Sequence, residues 1–229
     1  RTSRGLGDVY KRQLYMLSIS NNDQTIDTDN AGGGSFDAIK NSLQINEVRN
    51  IASYVWIWTA LMTVQWITAI NIVEDWSQNS EQRLRFFAIM EQVISPLTLI
   101  IQLFFTNLII KKIGIKNILL SYGILFFIAF ILYGLIPSII SVGVVTVFLR
   151  VFEYGINKPT RETIFSTLKK NDRYKSTVFI DTFISRFGDL SGSGFIAIGK
   201  LTSIAANSLP LIAIPIAGFL SMLGIRISR

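Results

Sequence analysis

Phe86-Phe-Ala-Ile-Met-Glu91-Gln-Val-Ile-Ser-Pro96-Leu-Thr-Leu-Ile-Ile-Gln102-Leu-Phe-Phe-Thr-Asn-Leu-Ile-Ile110 is the stretch that decides the fold. Glu91 is its only charge. A helix crosses a bilayer core with about 20 apolar residues at about 1.5 Å each, so this block is long enough. Two more apolar blocks follow, 117–136 and 138–152, separated from it and from each other by only a few polar residues. Three such blocks in succession describe an all-α, polytopic membrane helix bundle. The composition agrees. Only 16% of the 229 residues are charged, against about 25% in soluble domains.

The chain contains no cysteine and no histidine. Disulfides, thiolate metal sites and a cysteine nucleophile are therefore excluded. The commonest general base and metal ligand is missing too, so no Ser/His/Asp set exists and the enzyme readings are weak. Nothing calls for a cofactor or a metal. The net charge of +7 gathers in short loops, as in cytoplasmic loops of membrane proteins, and is not read as a nucleic-acid surface.

Three regions follow. Residues 1–13 resemble translated sequencing-adapter text and are read as a non-native artefact. Residues 14–46 are polar, with Gly32, Gly33 and Gly34 in a row, and read as a flexible linker. Residues 47–229 are expected to form a six-helix bundle with spans at 51–73, 86–110, 117–136, 138–156, 176–198 and 203–225. Pro96 marks an expected kink in the second span, and Lys111, Lys112 and Lys116 form a tight basic turn around Gly114. Pro159 is expected to end one helix and begin another. Beyond it Ile164, Phe165 and Leu168 recur at helical spacing, which predicts a short amphipathic helix on the membrane surface. Lysine and arginine concentrate in the 111–116 turn, the 157–175 connection and the C-terminal end. The linker and C-terminus are therefore expected on the cytoplasmic side of a membrane, a bacterial inner membrane being the reading adopted.

The chemistry lies in charges at membrane depth. Each costs about 2.5–3.5 kcal/mol on insertion scales and is normally turned toward a partner or a watery cavity. Arg150 and Glu153 stand three apart and share a face, so they are expected to pair. Arg186 and Asp189 repeat that spacing among Gly188, Gly192 and Gly194, small residues that let helices approach closely. Asp181 lies on the same span and Glu91 inside the second. Lys158, Arg161, Lys169, Lys170, Arg173 and Lys175 form the densest cationic cluster. It suits a cytoplasmic loop, anionic lipid or phosphate. Two readings remain open for these charges: a polar pathway between helices, or salt bridges that only lock helices together.

Arg150-Val-Phe-Glu-Tyr154-Gly-Ile-Asn-Lys158-Pro159-Thr-Arg161-Glu162, then Arg173-Tyr174-Lys175, Ile180-Asp181, Arg186 and Gly188-Asp189 together resemble the nucleotide transporter family. That family comprises the ATP/ADP translocases of intracellular bacteria and plastids and their bacterial relatives. Arg85-Phe86-Phe87 and Gln102-Leu103-Phe104 also resemble it. The resemblance implies a branch of the major facilitator architecture, twelve helices in two bundles with substrate between them. This chain would be the second bundle, its missing N-terminal half the first, and 14–46 the central cytoplasmic loop. It also implies that Arg186, Lys158, Arg161 and Lys175 bind phosphate or form the cytoplasmic gate, with Asp181, Asp189 and Glu162 as their partners in the closed gate. The substrate would be a small anion, a nucleotide, exchanged or imported by alternating access.

Two other functions remain compatible with the residues. One is a proton-coupled carrier of a drug or another small metabolite, with Glu91, Glu153 or Asp181 carrying the proton. The other is a non-transporting membrane scaffold held by the basic loop.

Overall fold

A computed structural model describes residues 46–166, 170–204 and 208–227. The chain divides into two units, Arg1–Asp37 and Ala38–Arg229, and every described residue belongs to the second. The expected artefact at 1–13, the linker except its last residue, Leu168 and Lys169 lie outside the described residues.

Among the described residues 93% are helical and none is in a strand. Six helices follow one another: α1 Asn46–Trp76, α2 Ser80–Ile113, α3 Ile115–Leu135, α4 Ile139–Phe165, α5 over 170–201 and α6 Leu209–Ile227. Their ends follow from local chemistry. Asn79 caps α2, its side chain accepting from the Glu81 N–H at 2.9 Å. Gly114 separates α2 from α3. Pro137 stops α3, and Ser138 opens α4 with a reciprocal cap in which Ser138 and Ser141 each accept from the other's backbone N–H.

Five of these helices, α1, α2, α3, α4 and α6, are long and apolar enough to cross a membrane, as expected of a multi-pass membrane protein. The count of six spans is not reproduced on that criterion. Asp181, Arg186, Asp189 and Lys200 interrupt the apolar text of α5. Large apolar side chains cover the outside of the bundle, Leu103, Phe104, Phe148 and Met222 among them. Hydrocarbon can cover such surface, which soluble proteins do not expose on this scale.

Pro159 stands in the first turn of an α-helical segment, as expected, but the chain does not break there: a π-helical turn at Glu153–Asn157 joins that segment to the one before, and α4 runs continuously to Phe165. α2 has its own π turn at Ile101–Phe105, five residues after Pro96, and α5 has one at Ile180–Ile184. The described part of the expected surface helix is helical but does not lie on a surface. Phe165 is buried with Val48, Ile51, Ala52 and Val55 of α1 and Ile180 of α5, with Ile164 beside them. Ile164 and Phe165, read as part of a lipid-facing stripe, are a core contact, and Leu168 lies outside the described residues.

The main pairings are α1 with α5, α6 and α4; α4 with α2 and α3; and α3 with α6. Exchanging the first three helices for the last three maps α1–α5 onto α4–α2 and α1–α6 onto α4–α3. The α1–α4 and α3–α6 pairs map onto themselves. The core fills with Tyr54, Leu61, Tyr122, Phe126, Phe130, Tyr133 and Leu149. Gln65 is buried among them, donating to Tyr133 at 2.9 Å and Thr146 at 3.2 Å.

The α1–α5 seam depends on Gly188 and Gly192. A Cβ at Gly188 would lie 2.6 Å from the Trp56 carbonyl, and one at Gly192 would lie 2.4 Å from that of Ala60. Backbone cannot yield as a side chain can, so both positions need glycine. Gly194 faces open space and is not part of the seam. Gly192→Ala is expected to destabilise by about 1–3 kcal/mol through overpacking. Gly194→Ala should be neutral, and thermal unfolding of the purified protein in detergent compares the two.

Candidate functional site

The ion pairs do not form as the three-residue spacing on α4 predicts. Arg150 and Glu153 do not pair with each other. Arg150 reaches across to Glu91 of α2 and lies over the Trp66 ring of α1, 5.0 Å from its centre. Glu153 turns the other way, into the bundle, and accepts from Arg161 Nη2 at 2.9 Å. Glu153 is 2% exposed and Arg161 6%, so this pair is wholly internal.

Asn157 of α4 and residues of the two neighbouring helices α1 and α3 complete the internal site. Asn157 Nδ2 donates to the other Glu153 oxygen, Oε2, at 2.6 Å. The Tyr54 hydroxyl of α1 lies 3.3 Å from Asn157 Oδ1 and 3.2 Å from the Leu119 carbonyl of α3, sharing one hydrogen between them. The Arg161 guanidinium lies over the Trp58 ring, 4.7 Å from its centre, where the ring quadrupole favours a cation. Trp58 Nε1 donates in turn to the Tyr122 hydroxyl at 3.0 Å, and the Tyr122 ring stacks on Phe152. Arg161 Nε is buried with no hydrogen-bond partner among the described residues. Each carboxylate oxygen thus has a donor, while the buried guanidinium Nε–H has no acceptor among the described residues.

The third pair lies on α5. Arg186 Nη1 is 3.4 Å from Asp189 Oδ2, and Thr63 of α1 donates to Asp189 Oδ1 at 3.0 Å. This pair is open: the Arg186 side chain is 83% exposed and that of Asp189 45%. Beside it Trp56 donates to Ser191 at 3.0 Å and its ring meets Phe187 at 5.4 Å.

The other expected residues do not join a cluster. Lys158, Glu162, Lys175 and Asp181 are exposed, and none forms an ion pair among the described residues. The cationic cluster is therefore split. Arg161 is internal, Lys158, Arg173 and Lys175 face outward, and the side chains of Lys169 and Lys170 lie outside the described residues. Among the described residues no group of three or more acidic side chains is placed to hold a metal.

Sequence reading assigned no site role to Asn157, Tyr54, Tyr122, Gln102, Thr106 or the tryptophans. One signal was present. Tyr54 and Trp58 stand four apart, on one face of a helix, and that face meets Asn157 and Arg161. The pairing of Glu153 with Arg161 had no such signal, since their separation of eight does not align on a regular helix.

No family model, no curated protein and no solved structure matches the chain. The likeness of 150–194 to nucleotide transporters rests on the quoted residues alone.

Replacing Glu153 by Leu strands a guanidinium in the core and is expected to cost about 3–5 kcal/mol. The joint replacement Glu153→Leu with Arg161→Met should recover most of that loss. Thermal unfolding in detergent reads both variants. Equal losses would show that the two residues do not act as a unit.

Proposed function

We propose that this chain is a six-helix half of a twelve-helix carrier of the major facilitator type. Its substrate is a small anion, with nucleotides as the favoured class, moved by alternating access. The observation that carries the reading is the open Arg186–Asp189 pair on α5. The helix presents these charges on its outer side next to Phe183, Phe187 and Leu190, all exposed. Facing lipid, that arrangement is costly. Facing a hydrated passage, or a second bundle across it, the same charges are useful.

The helix pairings support the reading. Their exchange pattern is the one expected when two three-helix repeats of opposite orientation form one bundle, a construction common in secondary carriers. In that arrangement α5 is the sixth crossing, and its polarity reflects a position beside the passage instead of against lipid. Arg186 contributes a planar fork suited to phosphate oxygens, with Asp189 as its counter-charge when no substrate is present. Lys158, Lys175 and Asp181 supply further charge toward the cytoplasmic end, where the linker and C-terminus lie on the lysine and arginine bias. The membrane is a bacterial inner membrane on this reading.

A proton-coupled carrier of another metabolite is the second reading, favoured by the buried carboxylate of Glu153. Uptake of labelled ATP and ADP into cells expressing the gene that encodes this chain separates the two. Saturable nucleotide uptake, abolished by Arg186→Glu with surface expression intact, is the expected result. Absence of nucleotide uptake at normal expression would exclude the first reading, and uptake of an unrelated metabolite driven by a proton gradient would select the second.

A further inference from the structure

The π turn of α4 breaks the helical ladder where α2 crosses it. The Lys158 N–H turns back to the Glu153 carbonyl, five residues away, and Pro159 has no N–H to give. Two side chains of α2 donate to the carbonyls in between. Gln102 Nε2 donates to the Tyr154 carbonyl at 2.9 Å, and the Thr106 hydroxyl donates to the Gly155 carbonyl at 2.6 Å. Apolar packing also joins the two helices here: Met90 and Ile94 of α2 are buried with Val151 of α4, with Ile101 packed against them. An open apolar cleft of about 260 Å³, lined by Leu97 and Ile101 of α2 and by Val147, Val151 and Ile156 of α4 among others, lies beside the two bonds.

The π turn also decides which side chains meet. Glu153 and Arg161 are eight residues apart. On a regular helix at about 100° per residue that is about 800°, leaving the two about 80° out of line. A π turn absorbs one residue, so the same stretch turns like about seven, or about 700°, and the two fall within about 20° of one face. They stand about two turns apart. Arg161 spans the gap because helical side chains lean toward the N-terminus.

We propose that Gln102 and Thr106 are positioning residues for the Glu153–Arg161 pair: by donating to Tyr154 and Gly155 they hold α4 in the π register that brings the two charges together. Among the described residues neither side chain hydrogen-bonds to the pair. The role in transport rests on the carrier reading above, but the register does not, so the experiment measures the register without any substrate.

The chain has no cysteine, so an introduced one is its only thiol. Thr160 is fully buried one residue before Arg161, and Ala69 is fully buried on α1, away from the crossing. Thr160→Cys and Ala69→Cys are each expressed in membranes and treated with N-ethylmaleimide. Both should react slowly, and equally slowly with Thr106→Ser, which keeps the hydroxyl. With Thr106→Val or Gln102→Leu the Thr160→Cys thiol should react about tenfold faster, the scale of one lost hydrogen bond, while Ala69→Cys stays protected. An unchanged Thr160→Cys rate in both variants overturns the proposal. So does an equal rise at Ala69→Cys, which would mean general loosening, or a failure of Thr106→Ser to restore protection. If the chain moves no nucleotide, these rates are unaffected, so the two readings fail separately.

Discussion

A backbone carbonyl surrounded by hydrocarbon has no water to turn to, and it must find a donor within the protein. Pro159 and the π turn before it put that demand on α4 at its crossing with α2. Gln102 and Thr106 meet it, and the rest of the site follows. The retained π turn sets the phase of Glu153 against Arg161. The phase brings the charges together inside the bundle, and the buried pair then calls for Asn157, Tyr54 and the Trp58 ring around it. One proline in an apolar helix thus reaches the aromatic face of α1 through a chain of obligatory partners.

The three ion pairs show three ways of placing charge in such a bundle. Glu153 and Arg161 are wholly desolvated, so each is tolerable only with the other present. Arg150 and Glu91 lie at the seam between α4 and α2, half in contact with the surroundings, with Trp66 as a platform. Arg186 and Asp189 are held at one end by Thr63 and open at the other. The first is sealed inside the bundle, and the last stays open on its outer side.

The broad class was legible from composition and from the lengths of the apolar blocks. So were the helix ends at Gly114 and Pro137, where backbone chemistry is local, whereas α2 begins at Ser80 behind the Asn79 cap, ahead of the expected start at 86. The tight approach of α5 was legible from Gly188 and Gly192, while Gly194, read with them, turned out to face open space. Pro159 does open a helical segment, as read, but no break precedes it, because a proline's lost hydrogen bond can be made good by another helix, and nothing local to residue 159 says that Thr106 will be there. The Arg150–Glu153 pairing failed because each charge meets a different partner: Arg150 reaches Glu91 of α2, and Glu153 turns inward to Arg161.

The sequence by itself determined that the chain is helical, apolar enough for a membrane, free of thiol and imidazole chemistry, and marked by a few charges in its second half. Only the tertiary structure decided which charges face each other, which are sealed and which stay open. Length and hydropathy sum over neighbouring residues and survive any packing. Pairing depends on helical phase and on donors contributed from distant parts of the chain, and both are settled only when the helices meet.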